Sequence, residues 1–110
     1  MNKLYYSPAA RDDLSGIKEY IEKEFANPVS AENIVKSILK KIRNLERFPE
    51  IGAPLAPIIG IETDYRVLSC GNYLAFYRVE NKNVHIIRIL YGKRDYCKIL
   101  FGDLTREERE

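Results

Sequence analysis

Three arginines stand inside apolar runs in the second half of this 110-residue chain, where a strand would normally place packing residues. The arginines are Arg66, Arg78 and Arg88. A guanidinium group can form two parallel hydrogen bonds with a phosphate or a carboxylate. These side chains therefore either cover apolar surface with their stems or line a shared anionic site.

The half of the chain that holds these arginines is basic. Between Thr63 and Lys98 there are seven basic side chains against three acidic ones, although the net charge of the whole chain is only +2. This imbalance is a modest indication of an anionic partner, either a nucleic acid or an acidic protein.

Composition excludes several classes of protein. The apolar runs are too short to cross a membrane. Cys70 and Cys97 form no CxxC motif and are accompanied by a single histidine, so neither a zinc site nor a disulfide framework is expected. We therefore expect a reduced, cytoplasmic protein without a metal or cofactor.

Two helices are predicted in the first half of the chain. Ser7-Pro8 and Asn27-Pro28 each supply an N-cap residue followed by proline at the first helical position. Apolar residues then recur at helical spacing in both segments. They are Ala10, Leu14, Ile17, Ile21 and Phe25 in the first, and Ala31, Ile34, Val35, Ile38, Leu39, Ile42 and Leu45 in the second. The short break between them predicts an antiparallel hairpin, with Phe48-Pro49 ending the second helix.

Strands are predicted around this hairpin. Leu4–Tyr6 is a short N-terminal strand, and the three runs that carry the arginines form an antiparallel meander. These runs are Tyr65–Ser69, Tyr73–Val79 and Val84–Tyr91, joined by turns at 70–72 and 80–83. In the last run, simple alternation would place Val84, Ile86, Arg88 and Leu90 on one face and His85, Ile87, Ile89 and Tyr91 on the other.

The remaining segments complete the predicted architecture. The Pro- and Gly-rich stretch 50–62 is expected to be a loop, and Asp95 to cap a short C-terminal helix through Phe101. The predicted fold class is α+β, because the helices precede the meander. Residues 1–102 form a single domain, and residues 103–110 form a polar, acidic tail.

A family resemblance rests on an ordered set of short motifs. They are Tyr65-Arg66, Gly71-Asn72-Tyr73, Phe76-Tyr77-Arg78-Val79, Arg88-Ile89-Leu90 and Gly92-Lys93-Arg94-Asp95. With the helical hairpin before them, they make the chain, from Leu4 to Leu100, resemble the RelE/ParE superfamily of bacterial type II toxins. The resemblance implies a cytoplasmic, growth-inhibiting toxin of the kind that stabilises plasmids. It also implies hetero-oligomers with a small, acidic antitoxin that is encoded beside the toxin.

The superfamily has two main activities, which need different residues. RelE-like members cleave messenger RNA on the ribosome, and this reaction needs cations for the phosphorane charge and groups for proton transfer. By resemblance, Arg66 and Arg94 match cationic positions of that set, and Tyr91 or Tyr96 could assist proton transfer. Two other cationic positions are occupied by Leu68 and Leu74.

ParE-like members inhibit DNA gyrase and lack this catalytic set. The two lost cations and the long helical hairpin favour a ParE-like toxin without catalysis of its own. The alternative is a ribosome-dependent mRNA endoribonuclease. The residues expected to contact the antitoxin or the target are Arg78, Arg88, Lys93 and Arg94. A structural role for Arg78 and Arg88 remains open beside this one.

Overall fold

The chain begins with a strand that leads directly into a helix. The computed structural model describes residues 1–102, starting with β1 (Lys3–Tyr6) and α1 (Pro8–Phe25). The hydroxyl of Ser7 accepts a hydrogen bond from the Ala10 amide at 2.9 Å, which confirms the predicted N-cap. The same hydroxyl donates to the Ile87 carbonyl at 2.7 Å, so the cap also ties α1 to the sheet.

The predicted helical hairpin is confirmed. Ala26 adopts a left-handed conformation with a φ of 47°, and Asn27 caps α2 (Pro28–Arg43) by accepting from the Ser30 amide. This two-residue connection folds α2 back against α1. The helix ends at Arg43, and a 3₁₀ turn (Asn44–Glu46) follows before the Phe48-Pro49 stop signal.

The sheet has five strands in the order β1-β5-β4-β3-β2. β3 (Arg66–Cys70), β4 (Tyr73–Glu80) and β5 (Asn83–Tyr91) form the predicted antiparallel meander. β1 pairs with β5 in parallel, so the sheet is mixed. The α+β class is therefore confirmed, and the three-stranded description is extended by an edge strand on each side.

The prediction that 50–62 is only a loop was wrong in detail. β2 (Ala53–Pro54) pairs with β3, and the short helix α3 (Ala56–Ile59) follows it. Leu55 between them is fully buried, and its amide donates to the Tyr65 carbonyl at 3.0 Å. Burial of this leucine thus orders a segment that its prolines and glycines had led us to predict as a loop. Pro54 is tolerated in β2 because β2 is an edge strand.

The predicted alternation along β5 was also wrong. The pairing with β4 shifts by one residue, since Phe76 opposes Arg88 whereas Tyr77 opposes Ile86. Ile87 is left without a partner on β4, as in a β-bulge. Ile89 therefore joins Val84 and Ile86 in the core beneath the helices.

Two apolar cores lie on the sheet. The larger one packs the sheet against the helical hairpin, and the smaller contains Leu55, Phe76 and Leu90. The smaller core is covered by residues of α3 and of α4 (Tyr96–Phe101). Asp95 caps α4 by accepting from the Lys98 amide at 3.3 Å, as predicted. The predicted acidic tail, 103–110, lies outside the described residues.

None of the helices within residues 1–102 combines the length and the apolar character that crossing a bilayer requires.

Candidate partner-binding groove

A groove of about 700 Å³ lies between α1 and the adjoining ends of β4 and β5. One wall is a single face of α1, whose residues recur at intervals of three and four. The other wall is formed by the end of β5, the start of β4 and the chain just beyond them. The lining residues are Asp12, Asp13, Gly16, Ile17, Tyr20, Ile21, Phe25, Ile34, Asn72, Tyr73, Ile89, Leu90, Tyr91 and Arg94.

Large aromatic side chains in this groove are exposed to solvent. Tyr20 is 59% exposed, Phe25 68% and Tyr91 40%. Tyr73 supports Tyr91 in an edge-to-face contact, with ring centroids 5.8 Å apart. A cluster of exposed rings that surrounds a groove is typical of a surface that a partner covers, because exposed apolar area is unfavourable.

The sequence did not identify most of this surface. Phe25 was assigned to the apolar stripe of α1, although it projects into solvent at the last position of the helix. Tyr20 lies off that stripe and had no assigned role. The available signal was Tyr20 itself, a large ring on the polar side of an amphipathic helix.

Two charged groups in the groove remain available to a partner. Within residues 1–102, neither Asp12 nor Arg94 has an ion-pair partner. The backbone amide of Arg94 donates to the Tyr91 carbonyl at 3.0 Å. This hydrogen bond closes the turn after β5 and so sets the position of the Arg94 backbone. The groove thus combines apolar walls with one available anion and one available cation.

Arg88 binds a carboxylate of the protein itself. Its guanidinium donates to both oxygens of Asp13, at 2.7 and 2.8 Å, and the Ile89 amide donates to the same carboxylate at 2.9 Å. The side chains of Arg88 and Asp13 are only 26% and 11% exposed. The hydrogen bonds to Asp13 raise the pKa of Arg88. This pair anchors α1 to β5 beyond the end of β1, where β5 would otherwise present a free edge.

Arg66 holds the loop before β2. Its guanidinium donates to the carbonyl oxygens of Gly52 at 3.0 Å and Glu50 at 2.9 Å. Opposite it on β4, the buried Tyr77 hydroxyl donates to the Pro49 carbonyl at 2.7 Å and accepts from the Gly52 amide at 3.0 Å. Burial raises the pKa of Tyr77, although the Gly52 amide and Arg66 oppose this effect.

The arginines of the three strands therefore do not share one anionic site. Arg78 pairs with two exposed carboxylates, those of Asp64 at 3.2 Å and Glu80 at 3.3 Å. Each of the three strand arginines has partners of its own, and none of the three lines the groove.

The remaining candidate site residues are divided between the groove and other surfaces. Tyr91 and Arg94 line the groove, whereas Tyr96 packs on Phe76 with ring centroids 5.1 Å apart. Lys93 is exposed beside the groove residues. The structure therefore brings together two of the four proposed catalytic residues, Tyr91 and Arg94.

Cys70 and His85 are both packed within the fold. Burial raises the pKa of the Cys70 thiol to about 11, which keeps it protonated at neutral pH. The ring of His85 stacks on Tyr5 with centroids 5.5 Å apart. Within residues 1–102, no three His, Cys, Asp or Glu side chains cluster as metal ligands.

The fold is shared with toxins of known structure. A chain of the chromosomal ParDE toxin–antitoxin system from P. aeruginosa superposes with a TM-score of 0.69 at 24% identity, covering 83% of this chain and 96% of that one. A chain of the toxin–antitoxin complex RelBE2 from Mycobacterium tuberculosis gives a TM-score of 0.53 at 19% identity, covering 82% and 96%. No curated protein matches the chain in sequence.

A family model identifies the chain more directly. Residues 4–96 match the model described as the ParE toxin of the type II toxin–antitoxin system parDE. The match spans β1, the helical hairpin, the whole meander and the start of α4. The chain therefore belongs to the ParE toxin family.

Proposed function

We propose that this toxin inhibits DNA gyrase without catalysis of its own, and that a small, acidic antitoxin neutralises it by binding in the groove. The observation that carries the choice of target is the position of Arg66. Its guanidinium is bound to the carbonyl oxygens of Gly52 and Glu50, so it is not available for a scissile phosphate.

Two of the cationic positions that RNA cleavage needs are occupied by leucines in this chain. A phosphorane transition state is stabilised by several cations that converge on it, with proton donors and acceptors in reach. Leu68 is buried, and Leu74 packs beside the smaller core. Arg94 is the one cation of the expected set that remains available, which supports inhibition by binding over cleavage.

The groove suits an apolar segment of a partner protein. Its exposed rings, Tyr20, Phe25 and Tyr91, would be buried by apolar side chains, and such aromatic anchors usually dominate binding energy. Arg94 would meet a carboxylate of an acidic antitoxin, which adds selectivity more than affinity.

The gyrase proposal is tested by a supercoiling assay with purified toxin and relaxed plasmid. We expect loss of supercoiling and trapped, cleaved DNA, both reversed when the neighbouring small acidic protein is added first. Supercoiling that persists at a large excess of toxin would contradict the proposal. Primer extension on messages from induced cells tests the alternative, since discrete translation-dependent cuts would identify a ribosome-dependent mRNA endoribonuclease.

The groove proposal is tested by titrating the toxin with its antitoxin. We expect Tyr20→Ala and Tyr91→Ala each to weaken binding by about 10- to 100-fold, as truncation of an aromatic anchor does. Tyr5→Ala is the matched control, because Tyr5 is also an exposed tyrosine but lies outside the groove. Equal losses in all three variants would show that the antitoxin does not bind in the groove.

A further inference from the structure

The second half of α2 carries a row of exposed cations. Lys36, Lys40 and Arg43 recur at spacings of four and three, and the 3₁₀ turn leads on to Arg47 four residues later. This spacing places them along one face of the helix. We call Lys36, Lys40, Lys41, Arg43 and Arg47 the basic ridge; all five are exposed.

From Lys36 to Arg43 the helix carries four basic side chains and no acidic one. Two lysines of the hairpin are paired with an acid one turn before them, Lys23 with Glu19 at 2.9 Å and Lys36 with Glu32 at 3.3 Å. After Lys36 this pattern stops. In the described part of the chain, the other four ridge cations have no ion-pair partner.

Like charges at neighbouring helical positions repel each other and weaken the helix. Lys36 and Lys40 form one such pair, and Lys40 and Arg43 form another. Basic residues in the last turn of a helix are favourable next to its carbonyl ends, but Arg47 lies beyond the helix and Lys36 lies two turns before its end. The helix dipole therefore does not account for the whole ridge.

We propose that the basic ridge binds the phosphodiester backbone of a nucleic acid. From Lys36 to Arg43 the helix rises about 10 Å at 1.5 Å per residue, which spans about three phosphates of one strand. Arg43 and Arg47 supply planar forks that suit phosphate oxygens, while the lysines act as point charges. Contacts of these cations with phosphates would position a nucleic acid without reading its sequence.

This surface is separate from the groove. None of the residues that line the groove belongs to the ridge. The ridge is therefore independent of the proposal for antitoxin binding, and each can fail without the other.

The test is fluorescence anisotropy of the full chain with a labelled 20-bp DNA duplex and, in parallel, a 20-nucleotide RNA, at several salt concentrations. Release of counterions predicts that log affinity falls against log salt with a slope of about −0.9 per phosphate contacted on duplex DNA and about −0.7 on a single strand. Four contacts would give a slope of about −3 to −4. The two probes distinguish duplex DNA from single-stranded RNA as the source of the backbone.

The variant Lys40→Gln/Arg43→Gln/Arg47→Gln should lose about three units of that slope and keep its affinity for the antitoxin. The matched control, Arg11→Gln/Lys18→Gln/Lys23→Gln on α1, removes the same charge and should keep the slope. If the ridge variant melts at a lower temperature, the single variants Lys40→Gln and Arg43→Gln are tested instead. Each should still reduce the slope of log affinity against log salt by about one unit.

Three results would overturn the proposal. The first is no salt-dependent binding of either nucleic acid. The second is an equal loss of slope in the ridge and control variants, which would show an effect of net charge alone. The third is equally tight binding of polyglutamate, which would assign the ridge to an acidic protein.

Discussion

At the scale of single residues, one buried hydroxyl closes the loop that precedes β2. Tyr77 is fully buried, and its hydroxyl donates a hydrogen bond to the Pro49 carbonyl and accepts one from the Gly52 amide. A Cβ atom at Gly52 would lie 2.6 Å from this hydroxyl and 2.7 Å from the Val67 carbonyl oxygen. Glycine is therefore needed at position 52 for the close approach, not for an unusual φ.

Removing that hydroxyl should destabilise the protein. Tyr77→Phe leaves a backbone amide and a carbonyl without partners in a dry site, which we expect to cost about 1–3 kcal/mol of unfolding free energy. Urea denaturation measures the change. Tyr20→Phe, which removes an exposed hydroxyl, serves as the control and should change stability by less than about 0.5 kcal/mol.

Cys70 makes stability depend on pH in the alkaline range. Burial raises the pKa of its thiol from 9.0 to about 11. Between these values the unfolded chain releases a proton that the folded protein keeps, so stability should fall as pH rises from about 9 to about 11. The limiting slope for one group is about 1.4 kcal/mol per pH unit.

The Cys70→Ala variant should lose this contribution between pH 9 and 10. A decline above pH 10 should remain in the variant, because burial also raises the pKa values of Tyr6, Tyr73 and Tyr77. Urea titrations of both proteins at stepped pH give the comparison. Identical slopes below pH 10 would show that Cys70 is not the titrating group.

At the scale of elements, α1 is held on the sheet by its N-cap and by one ion pair in its second turn. Ser7 fixes the first turn to Ile87, and Asp13 fixes the second to Arg88 and Ile89. Both contacts are made to residues of β5 that lie beyond its pairing with β1. The position of α1, and with it one wall of the groove, depends on these contacts.

Breaking the ion pair should therefore cost more than removing an ordinary surface charge. Asp13→Ala leaves a partly buried guanidinium and the Ile89 amide without their acceptor, and we expect about 2–3 kcal/mol of destabilisation. Asp12→Ala removes the neighbouring, exposed carboxylate and should change stability by about 0.5 kcal/mol or less. Equal effects in thermal denaturation would contradict the anchoring role of Asp13.

At the scale of the whole molecule, arginines that look alike in sequence differ in what they contact. Arg66, Arg78 and Arg88 are bound to groups of the protein itself, whereas Arg94 lines the groove and has no ion-pair partner within residues 1–102. Toxicity, antitoxin binding and folding should therefore respond to different substitutions.

This division predicts opposite outcomes for two arginine-to-alanine variants. Arg66→Ala should lower stability by about 1–3 kcal/mol, because the loop carbonyls lose a charged donor. Any toxicity that remains should follow the folded fraction. Arg94→Ala should leave stability within about 0.5 kcal/mol and weaken antitoxin binding or toxicity instead. Melting temperature, antitoxin affinity and growth inhibition are measured on both proteins. Full toxicity and full antitoxin binding in Arg94→Ala would contradict the proposal that Arg94 contacts the antitoxin or the target.

Local signals in the sequence determined the elements of this protein. Ser7-Pro8 and Asn27-Pro28 start both long helices, and the turn residues after Cys70 and Glu80 close both hairpins. These features form through contacts between residues a few positions apart, so the chemistry of each segment is sufficient to predict them. The family motifs added the toxin class.

Contacts between distant residues decided the rest. The parallel pairing of β1 with β5 and the Asp13–Arg88 ion pair join positions about 75 or more residues apart. No periodicity in the sequence shows which carboxylate an arginine will meet or whether Phe25 will be covered. The groove and the different contacts of the arginines follow from that packing, because a side chain's partner is set by the three-dimensional arrangement and not by its neighbours in the chain.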